Sequence, residues 1–91
     1  MNVQLRLFAT FREAVGERSV DRDFPEDSTV GDVLHTLDEE YPAFEVFDED
    51  GTLREYLSIL VNGRDITHLD GVDTPLEDGD KLSLFPPVAG G

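Results

Sequence analysis

A chain of 91 residues with 38% apolar residues has the size of one domain with a single modest core. Twenty-one acids against seven basic residues give a formal net charge of −14, which repels phosphate backbones, so nucleic acid is not an expected partner. No cysteine is present, so the chain has no disulfide, no thiolate nucleophile and no Cys-type zinc site; sulfur chemistry must use sulfur supplied from outside.

The acids are interleaved with apolar positions from Glu13 to Asp80 instead of forming one tail. With lysine almost absent, this pattern is expected of a salt-loving host. At molar salt the Debye length is about 3 Å and self-repulsion is largely screened. The apolar windows are far too short to cross a bilayer and residues 1–16 lack a signal-peptide core, so the expectation is a cytoplasmic protein with no membrane partner, monomeric on its own.

In chain order, residues 3–8 alternate, with Val3, Leu5 and Leu7 on one face and Gln4, Arg6 and Phe8 on the other, the period of a half-buried strand. About one helical turn follows over residues 10–15. Residues 18–24 read as a second strand with Val20 and Phe24 inward. Arg22 shares their parity, which marks an edge strand or a bulge. Thr29-Val30-Gly31-Asp32 has the form of a capping box with Asp in place of Glu or Gln. Val30, Val33, Leu34, Leu37 and Tyr41 then form one apolar stripe that stops at Pro42.

Residues 43–56 are irregular and acidic, turn at Asp50-Gly51, and are pinned to the core by Phe44, Val46, Phe47 and Leu53. Alternation returns over residues 57–62 with Leu57, Ile59 and Val61 inward. Asn62-Gly63 is a hairpin signal, and residues 64–66 start a short return strand. After a polar loop, "LEDGDKLSLF" supplies a turn and a last strand with Leu82 and Leu84 inward. This order implies an α+β roll, a mixed sheet of four to five strands packed on one main helix. If the three best strands are neighbours, Phe8, Leu60 and Phe85 form an apolar patch on the opposite face, a surface for docking partners.

Little else suggests chemistry. No glycine-rich phosphate loop is present, and "FDEDGTL" fails the calcium-loop template because its required acids fall on Val46 and Leu57. His35 and His68 are too few for a metal cluster, and no nucleophile-elbow sequence supports hydrolysis. No bound cofactor, no metal and no catalytic residue are expected. What stands out is the ending, "LFPPVAGG". Pro86-Pro87 favours an extended path of about 3.1 Å per residue, so residues 86–91 can reach about 19 Å from a domain spanning residues 1–85. Gly90 and Gly91 lack Cβ atoms and can thread a narrow channel. A terminal carboxylate at Gly91 is an anion at neutral pH, inert until something such as ATP converts it to a mixed anhydride.

Together, "LFATFREAVG", "STVGDVL", "LVNGRDI" and "PLEDGDKLSLFPPVAGG" make the chain resemble the β-grasp, ubiquitin-like proteins of prokaryotes. The resemblance is to small archaeal modifier proteins and the sulfur-carrier small subunit of molybdopterin synthase. It implies that an E1-like enzyme uses ATP to adenylate Gly91, which then forms an isopeptide bond to a target lysine or a thiocarboxylate. It further implies that Gly90, with Ala89, Val88, Pro87 and Pro86 behind it, occupies the enzyme's channel, and that Phe8 and Phe85 dock on partners. Ala89 stands where related tails often have Thr or Ser, and Lys81 where an acid is frequent. Lys81 is the only lysine, so a link between one copy and another must use it or the N-terminus, and Lys81 is a possible acceptor.

Three functions follow: a protein modifier that also carries sulfur; a dedicated sulfur-carrier subunit working with the large subunit of molybdopterin synthase in molybdenum cofactor biosynthesis; or an acidic interaction module with an inert, flexible tail.

Overall fold

The computed structural model describes residues 1–54 and 57–86. The expectations for Pro87, Val88, Ala89, Gly90 and Gly91 therefore lie outside the described residues. Strands form where alternation was read: β1 (Asn2–Leu7), β2 (Ser19–Asp23), β3 (Ser58–Val61), β4 (Arg64–Asp65) and β5 (Lys81–Phe85). Two helices intervene, α1 (Thr10–Val15) and α2 (Val30–Glu40). The sheet order is β2-β1-β5-β3-β4. The first and last strands run parallel at its centre, with Leu5 opposite Leu82 and Leu7 opposite Leu84; the other pairings are antiparallel.

Only one sheet face is packed. Val3, Leu5, Leu7, Ile59, Val61, Leu82 and Leu84 are buried there together with Val30, Val33, Leu34 and Leu37 of α2. Covering one face of an antiparallel or mixed sheet with a single amphipathic helix leaves the other face to solvent. α2 starts as its sequence requires. The Asp32 N–H donates to Thr29 Oγ1 at 3.2 Å and the Thr29 N–H donates to Asp32 Oδ2 at 2.9 Å, a complete capping box. It ends at Tyr41, which is extended, as the residue before a proline prefers to be. Gly31 lies against a 3-10 turn at Gly71–Asp73, where a Cβ would come within 3.1 Å of the Val72 carbonyl oxygen.

The irregular segment is anchored by Phe44 and Val46, both buried, and by an isolated bridge between Phe47 and Leu53. Phe44 meets Phe11 of α1 with ring centroids 4.8 Å apart, and Phe47 stacks on His35 at 4.2 Å.

Several boundaries differ from the periodic reading. β1 ends one residue earlier, because Ala9 takes φ 51° and ψ −120° and turns the chain, with the Phe11 N–H donating to the Phe8 carbonyl at 3.2 Å. β2 is shorter at both ends and lies at the sheet edge, where Val20 is only half-buried. Leu57 lies outside β3 and is also half-buried. Ile66 is buried, but it opens a 3-10 turn (Ile66–His68) instead of extending β4. Asp65 caps that turn by accepting from the Thr67 N–H at 2.9 Å. This bond, reinforced by the Thr67 hydroxyl, holds the Asp65 carboxyl below the usual aspartate range.

Arg22 resolves without a bulge. It forms a two-point ion pair with Glu40 at the end of α2, one arm at 3.0 Å, and its guanidinium carbon sits 5.6 Å from the Phe24 ring centroid. That contact holds the Glu40 carboxyl below the ordinary glutamate range.

Candidate functional site

The outer sheet face is built by the same alternation that builds the core. β1, β5 and β3 are adjacent, so Gln4, Arg6, Lys81, Ser83, Phe85, Ser58 and Leu60 share the face opposite α2. Phe8 follows the end of β1 and its N–H still donates to the Leu84 carbonyl, at 3.3 Å. Its ring stacks on Phe85, with centroids 4.1 Å apart and planes inclined by 14°. Leu60 is opposite Ser83 and therefore diagonal to Phe85, within reach of an aromatic ring across adjacent strands.

The three anticipated residues are thus brought to one region, but not as three equally exposed groups. Phe8 is the large apolar residue in the open, at 40% exposure, whereas Phe85 and Leu60 are half-buried. Stacking covers one face of Phe85, and the neighbouring strands shield Leu60. The patch is a narrow aromatic step at the end of the sheet from which residue 86 departs.

A concavity of ≈ 520 Å³ lies at the same end, bordered by Phe11, Ala14, Ala43, Arg54, Leu57 and Pro86. A second, of ≈ 460 Å³, opens beside Phe8 and is bordered by Arg6, Arg12 and Arg18. Sequence reasoning missed these arginines. They lie in or beside three different elements, and only the turn at Ala9 and the return through β2 bring them together.

The two amines differ sharply. The amino group of Met1 donates to the Phe24 carbonyl at 2.8 Å and lies 3.7 Å from Glu26, with the Met1 side chain packed against the core. Lys81 is exposed on the outer face, its backbone N–H held at 2.9 Å by Asn62 Oδ1, while Asn62 Nδ2 donates to Asp80 at 2.9 Å. Asn62 and Gly63 both adopt positive φ, 51° and 85°, as a two-residue hairpin turn requires.

Among the described residues no group of three or more metal-ligating side chains forms a cluster, and no helix is long and apolar enough to cross a membrane. The arrangement is suited to binding: an aromatic step, two adjoining concavities and a chain exit.

The chain matches a family model described as the ThiS family over residues 5–91. It is 50% identical over 92 residues to small archaeal modifier protein 3 of Haloferax volcanii, covering all of both chains. The crystal structure of SAMP1 from Haloferax volcanii superposes with a TM-score of 0.86 at 39% identity, again covering all of both chains. The structure of Mycobacterium tuberculosis CysO, a sulfur carrier protein, gives a TM-score of 0.74 at 27% identity over 94% of this chain and 99% of that one.

Proposed function

The chain belongs to the ThiS family, and from that premise we propose that it works through its last residue, as a protein modifier that also carries sulfur. The fold is the ubiquitin-like β-grasp of its modifier relatives. In the proposed scheme an E1-like enzyme lets the Gly91 carboxylate attack the α-phosphorus of ATP, releasing pyrophosphate and leaving an acyl adenylate. The amine of a target lysine then attacks that carbonyl, an isopeptide bond forms, and AMP departs with the proton left in solvent. The chain contributes no catalytic group and binds no cofactor; ATP is consumed by the activating enzyme. Phe8, Phe85 and Leu60 supply the docking contact, while Pro86, Pro87, Val88, Ala89 and Gly90 reach into the channel. The setting is the cytoplasm.

One observation carries this reading: end-to-end similarity to a small archaeal modifier protein at 50% identity. Deleting Gly90 and Gly91 tests it. ATP–pyrophosphate exchange by the activating enzyme and Gly-Gly remnants on target lysines should both disappear; retention of either would leave the tail inert and the interaction-module reading in its place.

A second reading, sulfur carriage, is favoured by the likeness to the sulfur carrier CysO. In it, hydrosulfide attacks the adenylate carbonyl, a carbon–sulfur bond forms and AMP departs, giving a thiocarboxylate once the proton is lost to solvent. The large subunit of molybdopterin synthase is the proposed partner. Intact mass of protein recovered from its host separates the readings, since exchange of oxygen for sulfur adds about 16 Da and conjugation adds a whole partner.

When one copy is joined to another, Lys81 is the proposed acceptor, because it is exposed whereas the Met1 amine already donates to the Phe24 carbonyl and faces Glu26. Lys81→Arg should abolish such dimers while leaving adenylation intact.

A further inference from the structure

We propose that the concavity beside Phe8 is an acid-reading pocket, which takes a partner's peptide segment carrying carboxylates around one apolar side chain. The inference rests on reading the Phe8 face as a docking surface and adds the chemistry of what docks there.

A chain with 21 acids and seven basic residues has ample internal carboxylate to neutralise every arginine. Arg22 and Arg54 behave accordingly, pairing with Glu40 and Asp48. Arg6, Arg12, Arg18 and Arg64 make no ion pair among the described residues, and the first three border one concavity of ≈ 460 Å³. They arrive from three directions: Arg6 from the outer face of β1, Arg12 from the last turn of α1, and Arg18 from the residue before β2. The frame that holds them is backbone. The Leu7 N–H donates to the Arg18 carbonyl at 2.8 Å, and the Gly16 N–H donates to the Arg12 carbonyl at 2.7 Å. Ala9, in the positive-φ region that disfavours a side chain, makes the corner between Arg6 and Arg12.

Phe8 and Ser19 complete the rim, and they narrow the choice of ligand. A free phosphate would satisfy the arginines and leave the most exposed apolar ring of the surface uncovered. A long polyanion such as nucleic acid would meet the arginines and then the repulsion of the remaining surface at −14. A short acidic segment with one apolar or aromatic residue answers both features: carboxylates pair with the guanidiniums and the apolar group covers Phe8. Guanidinium is weakly hydrated and binds carboxylate by two parallel hydrogen bonds, so arginine suits this task in concentrated salt better than lysine does. The pocket also gives orientation. An acidic partner is repelled over most of the surface and attracted here, which fixes the docked register.

The test uses the full chain and a synthetic peptide, Glu-Glu-Asp-Phe-Glu-Asp-Glu, followed by amide chemical shifts and fluorescence anisotropy with no ATP or activating enzyme present. An inert tail would therefore leave the result unaffected, and a failure here would leave the tail reading intact. Saturable shifts should centre on Arg6, Phe8, Arg12 and Arg18. Affinity should fall by about tenfold or more when Arg6→Gln, Arg12→Gln and Arg18→Gln are combined, when Phe8→Ala is made, and when the peptide's acids become Gln and Asn. Arg64→Gln, which removes the same charge on β4, should leave affinity unchanged. The single arginine variants, each checked for an unaltered melting temperature, keep the test valid should the triple variant fold poorly. The proposal is overturned if the amide peptide binds equally well, if Arg64→Gln weakens binding as much as the pocket variants, or if inorganic phosphate displaces the peptide at equal concentration.

Discussion

Leu5 and Arg6 are neighbours in β1, share one backbone geometry and serve opposite purposes. Leu5 points into a face where the described apolar side chains interlock beneath α2, and Arg6 points to a face that nothing in the fold covers. Inner positions are chosen by volume and shape, because a packed interior has no spare space. Outer positions are free of that demand, and here they hold features that contribute little to stability: an exposed phenylalanine just beyond β1 and, in Arg6, an arginine with no ion pair among the described residues. One strand can thus carry stability on one parity and leave the other free for recognition, so that the two can vary independently.

The inner side is the more sensitive to substitution. Leu82, fully buried on β5, should cost about 2–5 kcal/mol when replaced by alanine, measured by chemical denaturation. The folded fraction of Leu82→Ala should still be activated at the normal rate per molecule. Phe8→Ala should show the reverse: a smaller loss of stability, about 1–2 kcal/mol, since the ring is 40% exposed and gives up mainly its stack on Phe85, and docking to the activating enzyme weakened about tenfold, read as KM with kcat preserved. A large loss of stability in Phe8→Ala would erase the distinction between the faces.

Ala9 sharpens it further. Its φ of 51° is costly for alanine and free for glycine, so Ala9→Gly should stabilise the chain by about 1 kcal/mol after the greater entropy of unfolded glycine is subtracted. Unchanged or lower stability would show that the corner is unstrained. Salt acts on the whole surface. Screening of the net charge of −14 should raise the melting temperature from dilute buffer to molar potassium chloride, and a flat or falling trend would contradict the salt-adapted reading that relatives from Haloferax volcanii support.

The smallest effect is acid sensitivity. Asp65 and Glu40 both have folded-state pKa values below their ordinary 3.8 and 4.5. The unfolded chain therefore takes up protons first, and their contribution is present near neutrality and lost as pH falls below those ordinary values. Denaturation midpoints compared at pH 7, 4 and 3 should show a shallower acid loss for Asp65→Asn than for the unaltered chain. An identical slope would mean that the Thr67 contacts do not discriminate between the charged and neutral acid.

Much of this was legible in the sequence for a physical reason. Strand and helix periodicities are local, so the inward set of β1, β3 and β5, the stripe of α2 and the capping box at Thr29 and Asp32 follow from spacing alone. The Asn62-Gly63 turn and the break at Pro42 follow from what those residues do to φ. Arg22 was legible only as a conflict of parity. Its partner, Glu40, is 18 residues away, and no local rule connects them. The 3-10 turns within residues 66–73 were hidden for a similar reason: Asp65 and Thr74 side chains hold them, and such caps look like ordinary polar loop.

By itself the sequence determined which residues are inward, where the main helix starts and stops, that the chain is strongly acidic, and that residues 90 and 91 are glycines. These are properties of neighbours along the chain. The tertiary structure alone decided what lies beside what. It made β1 and β5 parallel partners and so stacked Phe8 on Phe85, and it tied the Met1 amine to Phe24 and Glu26 while leaving Lys81 in the open. It also gathered Arg6, Arg12 and Arg18 around one concavity. Those juxtapositions depend on sheet order and on one turn at Ala9, and sheet order is set by how the whole chain closes its core, which no short window of residues contains.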